Sequence, residues 1–335
     1  MLPDGDWPMP RIYRTALFSV GIVLAAFSSV HAQKKMQWHF EKGQQRESEI
    51  VQQITQVVNG ETLGSTATLY VSSMVDEVND DGSAIVTKKI TRITMSIAMP
   101  SYATIDYDSA TGEDGRGSVK MFADAISPAI GKSVKMKITP TGKVTDIERL
   151  DTPAKKKQAS TISSPMFSPM VRDGQFDQLL AKSILKFPEN ELKEGDRWNF
   201  NGKSVLGKMP LASETFYIFR GTQEENGQQF DRFDVQTSVN IKTPATDNAV
   251  ADATTTPKIT ISEQRSTGEI LFDSKTSVVV RSKVEQVLTL AFPMAGGEVK
   301  SDLTFVTSQK TSIVETAVPE DDQTDVVENK EPATE

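Results

Sequence analysis

Long stretches of this chain alternate apolar and polar residues, and a period of two admits few folds. Over residues 65–78, Ala67, Leu69, Val71 and Val75 share one face. Over residues 233–241 the matching set is Phe233, Val235, Val239 and Ile241. Over 277–292 it is Val278, Val280, Val284, Leu288, Leu290 and Phe292, with Arg281, Lys283 and Glu285 opposite. Leu303, Phe305 and Ile313 continue the pattern. Side chains alternate across a strand, so each run predicts a strand with one buried face. One-sided patterning of this kind belongs to antiparallel sheets.

The run 84–99 changes parity. Ala84, Val86 and Ile90 lie on one face, and Ile93, Met95, Ile97 and Met99 on the other. A bulge near 90–93 would keep a single strand serving one core, and cover on both faces is the alternative. Turn chemistry punctuates the runs at "NDDG" (79–82) and "EENG" (224–227). Two Thr-Gly pairs, in "ITPTGKVTDIERL" (138–150) and "SEQRSTGEILFDS" (262–274), also read as hairpins. "QWHFEKG" (37–43) is echoed by "RWNFNGK" (197–203). The order Trp, Gly turn, long strand, Thr-Gly hairpin therefore occurs twice. Two diverged halves explain it, and convergent hairpin chemistry is the alternative. Two segments carry helical spacing. Residues 173–187 align Phe176, Leu179, Leu180, Ile184 and Phe187 ahead of Pro188, and 118–127 align Val119, Phe122 and Ile126 ahead of Pro128.

The N-terminus reads as an export signal. Arg11 and Arg14 precede the apolar run "TALFSVGIVLAAFSSV" (15–30), and "SVHAQ" places cleavage after Ala32. An uncleaved anchor is the alternative, but the run is short for a spanning helix. There is no cysteine, which excludes disulfides, thiol catalysis and cysteine-ligated metals. The net charge is −8, but the end of the chain, 317–335, holds seven acids and one lysine. That end reads as a solvated acidic tail, and the body is close to neutral. No basic stripe with interleaved aromatics suggests nucleic acid.

Motifs for chemistry are sparse. His39 is the one histidine beyond the signal, and alternation sets it opposite Trp38 and Phe40, toward solvent. "SILK" (183–186) has Ser-x-x-Lys spacing without the companion motifs of penicillin-recognising enzymes. "DYDSATGEDG" gathers Asp106, Asp108, Glu113 and Asp114 as a weak calcium candidate whose spacing does not match an EF-hand. "SSPMFSPM" (163–170) puts adaptable apolar side chains on a stretch that two prolines keep irregular. It reads either as a lid over an apolar hollow or as a linker tucked onto the core. Candidate ligand contacts are Met166, Phe167, Met170, Phe176 and Leu180.

The order of Trp-x-Phe, "DDGSAIVTKKITRITM" (80–95), "DYDS" (106–109), "GKVTDIE" (142–148) and "KFPENELKEGDRWNF" (186–200) resembles a family of exported bacterial proteins of unknown function. In general form it is similar to the half-barrels of periplasmic lipoprotein carriers, an analogy of fold alone. The expected fold is mainly β: an antiparallel, curved meander sheet or half-barrel from two diverged halves, with two or three covering α-helices. The expected divisions are a signal (1–32), a first β-rich half (33–150), a helical linker (151–190), a second β-rich half (191–316) and the tail (317–335). The expected role is a non-catalytic binding or carrier module for a lipid or apolar small molecule. A structural or interaction component meeting an envelope protein is the alternative, and an enzyme fits least. No cofactor, nucleic acid or membrane span in the mature chain is expected.

Overall fold

The alternating runs form the strands of one antiparallel sheet. The structure is a computed structural model that describes residues 33–100, 103–111, 119–120, 123–124, 127–150, 180–181, 183–206, 209–241, 259–294 and 297–314. The chain divides into two units, Met1–Ala32 and Gln33–Glu335, and every described residue lies in the second. The first strands are β1 (Gln45–Val58), β2 (Glu61–Val78), β3 (Ala84–Ala98), β4 (Ile105–Asp108), β5 (Ser133–Ile138) and β6 (Val144–Arg149). After 151–179 come β7 (Arg197–Leu206), β8 (Met209–Glu225), β9 (Gln228–Ile241), β10 (Thr260–Asp273), β11 (Val278–Met294) and β12 (Gly297–Val314).

The sheet order is β6-β5-β3-β2-β1-β12-β11-β10-β9-β8-β7, with β4 also beside β3. Each arm is a meander, and the arms join where β1 pairs with β12 from Gln45↔Val314 to Val58↔Ser301. β2 and β12 run for 18 residues each, well beyond ordinary strand length.

Turn residues set the register. Asn59–Gly60 and Asn226–Gly227 close two-residue hairpins with positive φ at both positions, the geometry whose twist matches the flanking strands. The predicted turn at 79–82 is present, closed by Asn79 N–H onto Ser83 O at 2.8 Å. The parity change in β3 is a bulge: Tyr70 pairs with Arg92 and Val71 with Ile90, so Thr91 is the extra residue. Ile90 and Ile93 consequently both reach the core.

Several expectations are corrected. The first Thr-Gly pair does turn the chain between β5 and β6, with Gly142 at φ +77°. The second does not, because Gly268 lies within β10 and pairs with Val284 and Val235. The hairpin there comes later, where Asp273 Oδ1 accepts from Lys275 N–H at 2.9 Å. A register shift beside Val280 brings Val279 to the core in its place. The predicted helices fall largely outside the described residues. Residues 119, 120, 123, 124, 180 and 181 have helical backbone, but the only helical element among the described residues is a 3-10 turn at Ser127–Ala129. Residues 183–187 form a turn, a bend and a strap without regular structure, so a helix does not continue to Phe187.

That strap organises the core. Phe187 N–H donates to Thr141 O at 2.9 Å, and Leu192 exchanges two backbone hydrogen bonds with Lys34. Trp38 donates its indole N–H to Leu185 O at 2.8 Å, and Trp198 donates to Lys186 O at 3.0 Å. Around the strap, Phe187 meets Phe272 and Phe233 at ring-centroid distances of 5.1 and 6.0 Å, and Trp38 meets Phe272 at 5.2 Å. One buried cluster thus unites Val86 and Ile93 of the first arm with Phe233 and Phe272 of the second. β3 and β10 stand five strand spacings apart, roughly 24 Å in a flat sheet. The buried face therefore curls around residues 34–40 and 183–192. Burial of Phe187 alone contributes about 2–3 kcal/mol. Lys34 closes the join by donating to the buried Asp231 carboxylate at 2.7 and 2.8 Å.

Two stability tests follow from this packing. A Cβ on Gly142 would lie 2.1 Å from Leu185 O, whereas one on Gly60, also at positive φ, meets nothing within 4 Å. Gly142→Ala is expected to cost about 2–4 kcal/mol and Gly60→Ala about 1 kcal/mol in urea unfolding. Equal costs would show that the contact with the strap is unimportant. Lys34→Met, which leaves Asp231 buried and unpaired, is expected to cost about 2–3 kcal/mol, with partial recovery in the double variant carrying Asp231→Asn.

Candidate functional site

The buried face of the sheet is not uniformly apolar. Core-facing positions of β1 run Arg46, Ser48, Ile50, Gln52, Ile54 and Gln56, so this central strand supplies only two buried apolar side chains. Lys88 of β3 has the parity of Ala84, Val86 and Ile90 and faces the same side. Both cations line a small, partly open cavity of about 50 Å³. Trp38, Val75, Ile138, Ile184 and Val279 form part of its wall.

Lys88 Nζ donates to Ser183 Oγ at 2.9 Å and to Leu180 O at 3.2 Å. Burial, assisted by the positive charge of Arg46, pulls this ammonium down to about 7. Arg46 stacks its guanidinium 5.7 Å from the Trp38 ring centroid and 5.9 Å from that of Phe40, and donates to the Gln44 side chain. Burial lowers it to about 10, with the Glu41 carboxylate partly opposing the shift. At neutral pH Arg46 is charged.

A second apolar cluster lies farther along the second arm. Leu211, Val239, Leu288, Leu290 and Leu303 are buried there, and Ile241, Ile259, Ile261, Phe292 and Phe305 pack against them only partly buried. The strand residues share the core-facing parity. The opposite face is charged. An open hollow of about 710 Å³ there is bordered by Glu47, Glu49, Arg92, Arg281 and Lys310. Beside it, Arg232 and Arg281 both pair with Glu269 across neighbouring strands.

The residues singled out from sequence fare unevenly. Met166, Phe167, Met170 and Phe176 lie outside the described residues. Leu180 is fully buried in the main cluster, and its carbonyl accepts from Lys88 and from Ser183 Oγ. Ser183 and Lys186 do not share a helical face. Ser183 serves Lys88, while Lys186 Nζ sits 5.5 Å from the Phe200 ring centroid. Asp108 is occupied by Arg92, whose Nε donates to Oδ1 at 3.0 Å, and Asp106 is exposed. Glu113 and Asp114 lie outside the described residues. No group of three acids or histidines suited to a metal occurs among the described residues. His39 is exposed as its position implied, and its backbone N–H donates to Ser277 Oγ at 2.8 Å. Arg46 and Lys88 escaped sequence reasoning. The available signal was Lys88 itself, a lysine flanked at two-residue spacing by Val86 and Ile90.

Among the described residues no helix is long and apolar enough to cross a membrane. No curated protein matches the chain in sequence. Among solved structures it is similar to lipovitellin, described for its lipid–protein interactions, at 13% identity and a TM-score of 0.40 over 82% of this chain. The chain spans only 25% of the lipovitellin chain. DynF from the dynemicin biosynthesis pathway of Micromonospora chersina is similar at 8% identity and a TM-score of 0.18, over 91% of both chains. Pseudomonas aeruginosa OpdQ is similar at 9% identity and a TM-score of 0.19, over 82% of this chain and all of its own. Scores this low say nothing of what the chain binds. Residues 81–279, running from the β2–β3 turn to the start of β11, match the family of unknown function DUF6263, and the chain belongs to that family.

Proposed function

We propose that this is an exported, non-catalytic binding module for a lipid or other apolar ligand, cleaved after Ala32. The observation that carries the reading is the second apolar cluster. Its ten members come from strands β8 to β12 and from Ile259, and half of them are only partly buried. A sheet face gains stability by meeting another apolar layer, and large contiguous apolar surfaces on soluble proteins commonly mark binding sites. The sheet acts as a half-barrel whose second apolar cluster seats the ligand, and Met166, Phe167 and Met170 contribute to its binding. Methionine suits a site that must fit varied apolar shapes. A second reading, an interaction component of the cell envelope, is favoured by Ile147 on edge strand β6 and Leu150 just after it, each 46% exposed.

The first test is to export the full chain, purify it without detergent and record native mass spectra before and after solvent extraction. The expected mass begins at Gln33 and carries a stoichiometric apolar ligand that extraction removes. Phe292→Asp is expected to weaken uptake of added phospholipid or fatty acid at least tenfold. A bare chain that takes up neither overturns the binding reading and leaves the envelope reading, to be pursued by crosslinking.

A further inference from the structure

The cavity between β1, β3 and the strap raises a separate question: what does it hold? Two cations border one small, partly open cavity, and burying like charges together is costly unless an opposite charge joins them. Among the described residues no carboxylate forms an ion pair with either cation, and Glu41 acts on Arg46 only from beyond that distance. The Nε of Arg46 is a buried donor with no hydrogen-bond partner among the described residues. Lys88 has three N–H donors, and two are used, on Ser183 and Leu180. On the cavity's β12 side, Gln309 donates to Thr311 Oγ1 at 3.1 Å, and Thr311 lies 2.9 Å from Ser48 Oγ. Only one of those two hydroxyls donates within the pair, so one O–H is left to donate elsewhere.

The unused groups on Arg46, Lys88 and the Ser48–Thr311 pair are donors, and two belong to cations. A buried water occupies about 10–15 Å³ by the same measure of volume, so about 50 Å³ has room for a few waters or for one small oxyanion group. We propose that this cavity binds a carboxylate or phosphate oxyanion. Arg46 Nε and Lys88 Nζ donate to it as charge-assisted hydrogen bonds, and the free hydroxyl of the Ser48–Thr311 pair completes the cradle. Trp38 and Ile184 supply part of its apolar wall. The Trp38 indole is turned away, onto Leu185 O, so the ring presents an apolar wall.

The oxyanion is either a free ion or the head group of an amphipath, and the probes separate the two. Purified full chain is titrated calorimetrically with inorganic phosphate, acetate and octanoate. One-to-one binding of at least one probe is expected, weakened tenfold or more by Arg46→Gln and by Lys88→Gln. Octanoate binding at least tenfold tighter than acetate assigns the site to the head group of an apolar acid. Binding of phosphate or acetate at least as tight assigns it to a free ion. Neither phosphate nor acetate has an apolar chain, so their binding succeeds or fails independently of the lipid reading. A readout without variants is acetylation of Lys88 by acetic anhydride, followed by mass spectrometry. A saturating probe is expected to slow it at least fivefold. No heat with all three probes, undiminished affinity in both variants, or an unchanged Lys88 acetylation rate overturns the proposal.

Discussion

The fold depends on the pairing of its first strand with its last. β1 and β12 match residue for residue over the full length of β1, and every other strand pair hangs from one side or the other of that seam. The contact joins residues more than 240 positions apart, so much of the chain forms a loop before it is made. Loop closure on that scale costs entropy that local hairpins avoid. Each arm is a meander of local hairpins, which suits arms that form first and a seam that closes them. Pairing in the centre also gives β1 and β12 neighbours on both sides, leaving β6 and β7 at the sheet edges.

The strap makes the curl specific. A long, twisted sheet would coil in any case, but residues 183–192 fix which parts of the two arms meet. Five backbone or indole hydrogen bonds tie the strap to Lys34, Trp38, Thr141 and Trp198, and the phenylalanine cluster packs around it. The two tryptophans that opened equivalent segments of the sequence converge on adjacent carbonyls of this strap. Their similarity reflects a shared task of satisfying buried carbonyls, one that a phenylalanine could not perform.

Legibility varied with how local the cause was. The bulge at Thr91 could be read because a parity change is written in the order of residues. The turns at 79–82 and 224–227 could be read because Gly at positive φ is a property of the residue. The pair Thr267–Gly268 misled for the same reason. Gly also fits where one backbone approaches another, and a Cβ at Gly268 would sit 2.8 Å from Lys283 O. β1 was missed because Gln52 and Gln56 occupy core-facing positions, so Ile50 and Ile54 stand four apart and lose the strand period. With β1 unread, Arg46 had no face, and the pair it forms with Lys88 was invisible.

The sequence by itself determined that the chain is an antiparallel β protein, where several strands turn, and which face is buried in the strands with clear alternation. Side-chain alternation and turn geometry act between neighbours in the chain, so composition and order suffice. Only the tertiary structure decided that β1 meets β12, that residues 183–187 turn out of the helix into a strap, and that Arg46, Lys88 and Ser183 share one cavity. Those facts come from long-range burial. Where a polar side chain sits inside a core depends on what the rest of the chain brings against it, and no local pattern encodes that.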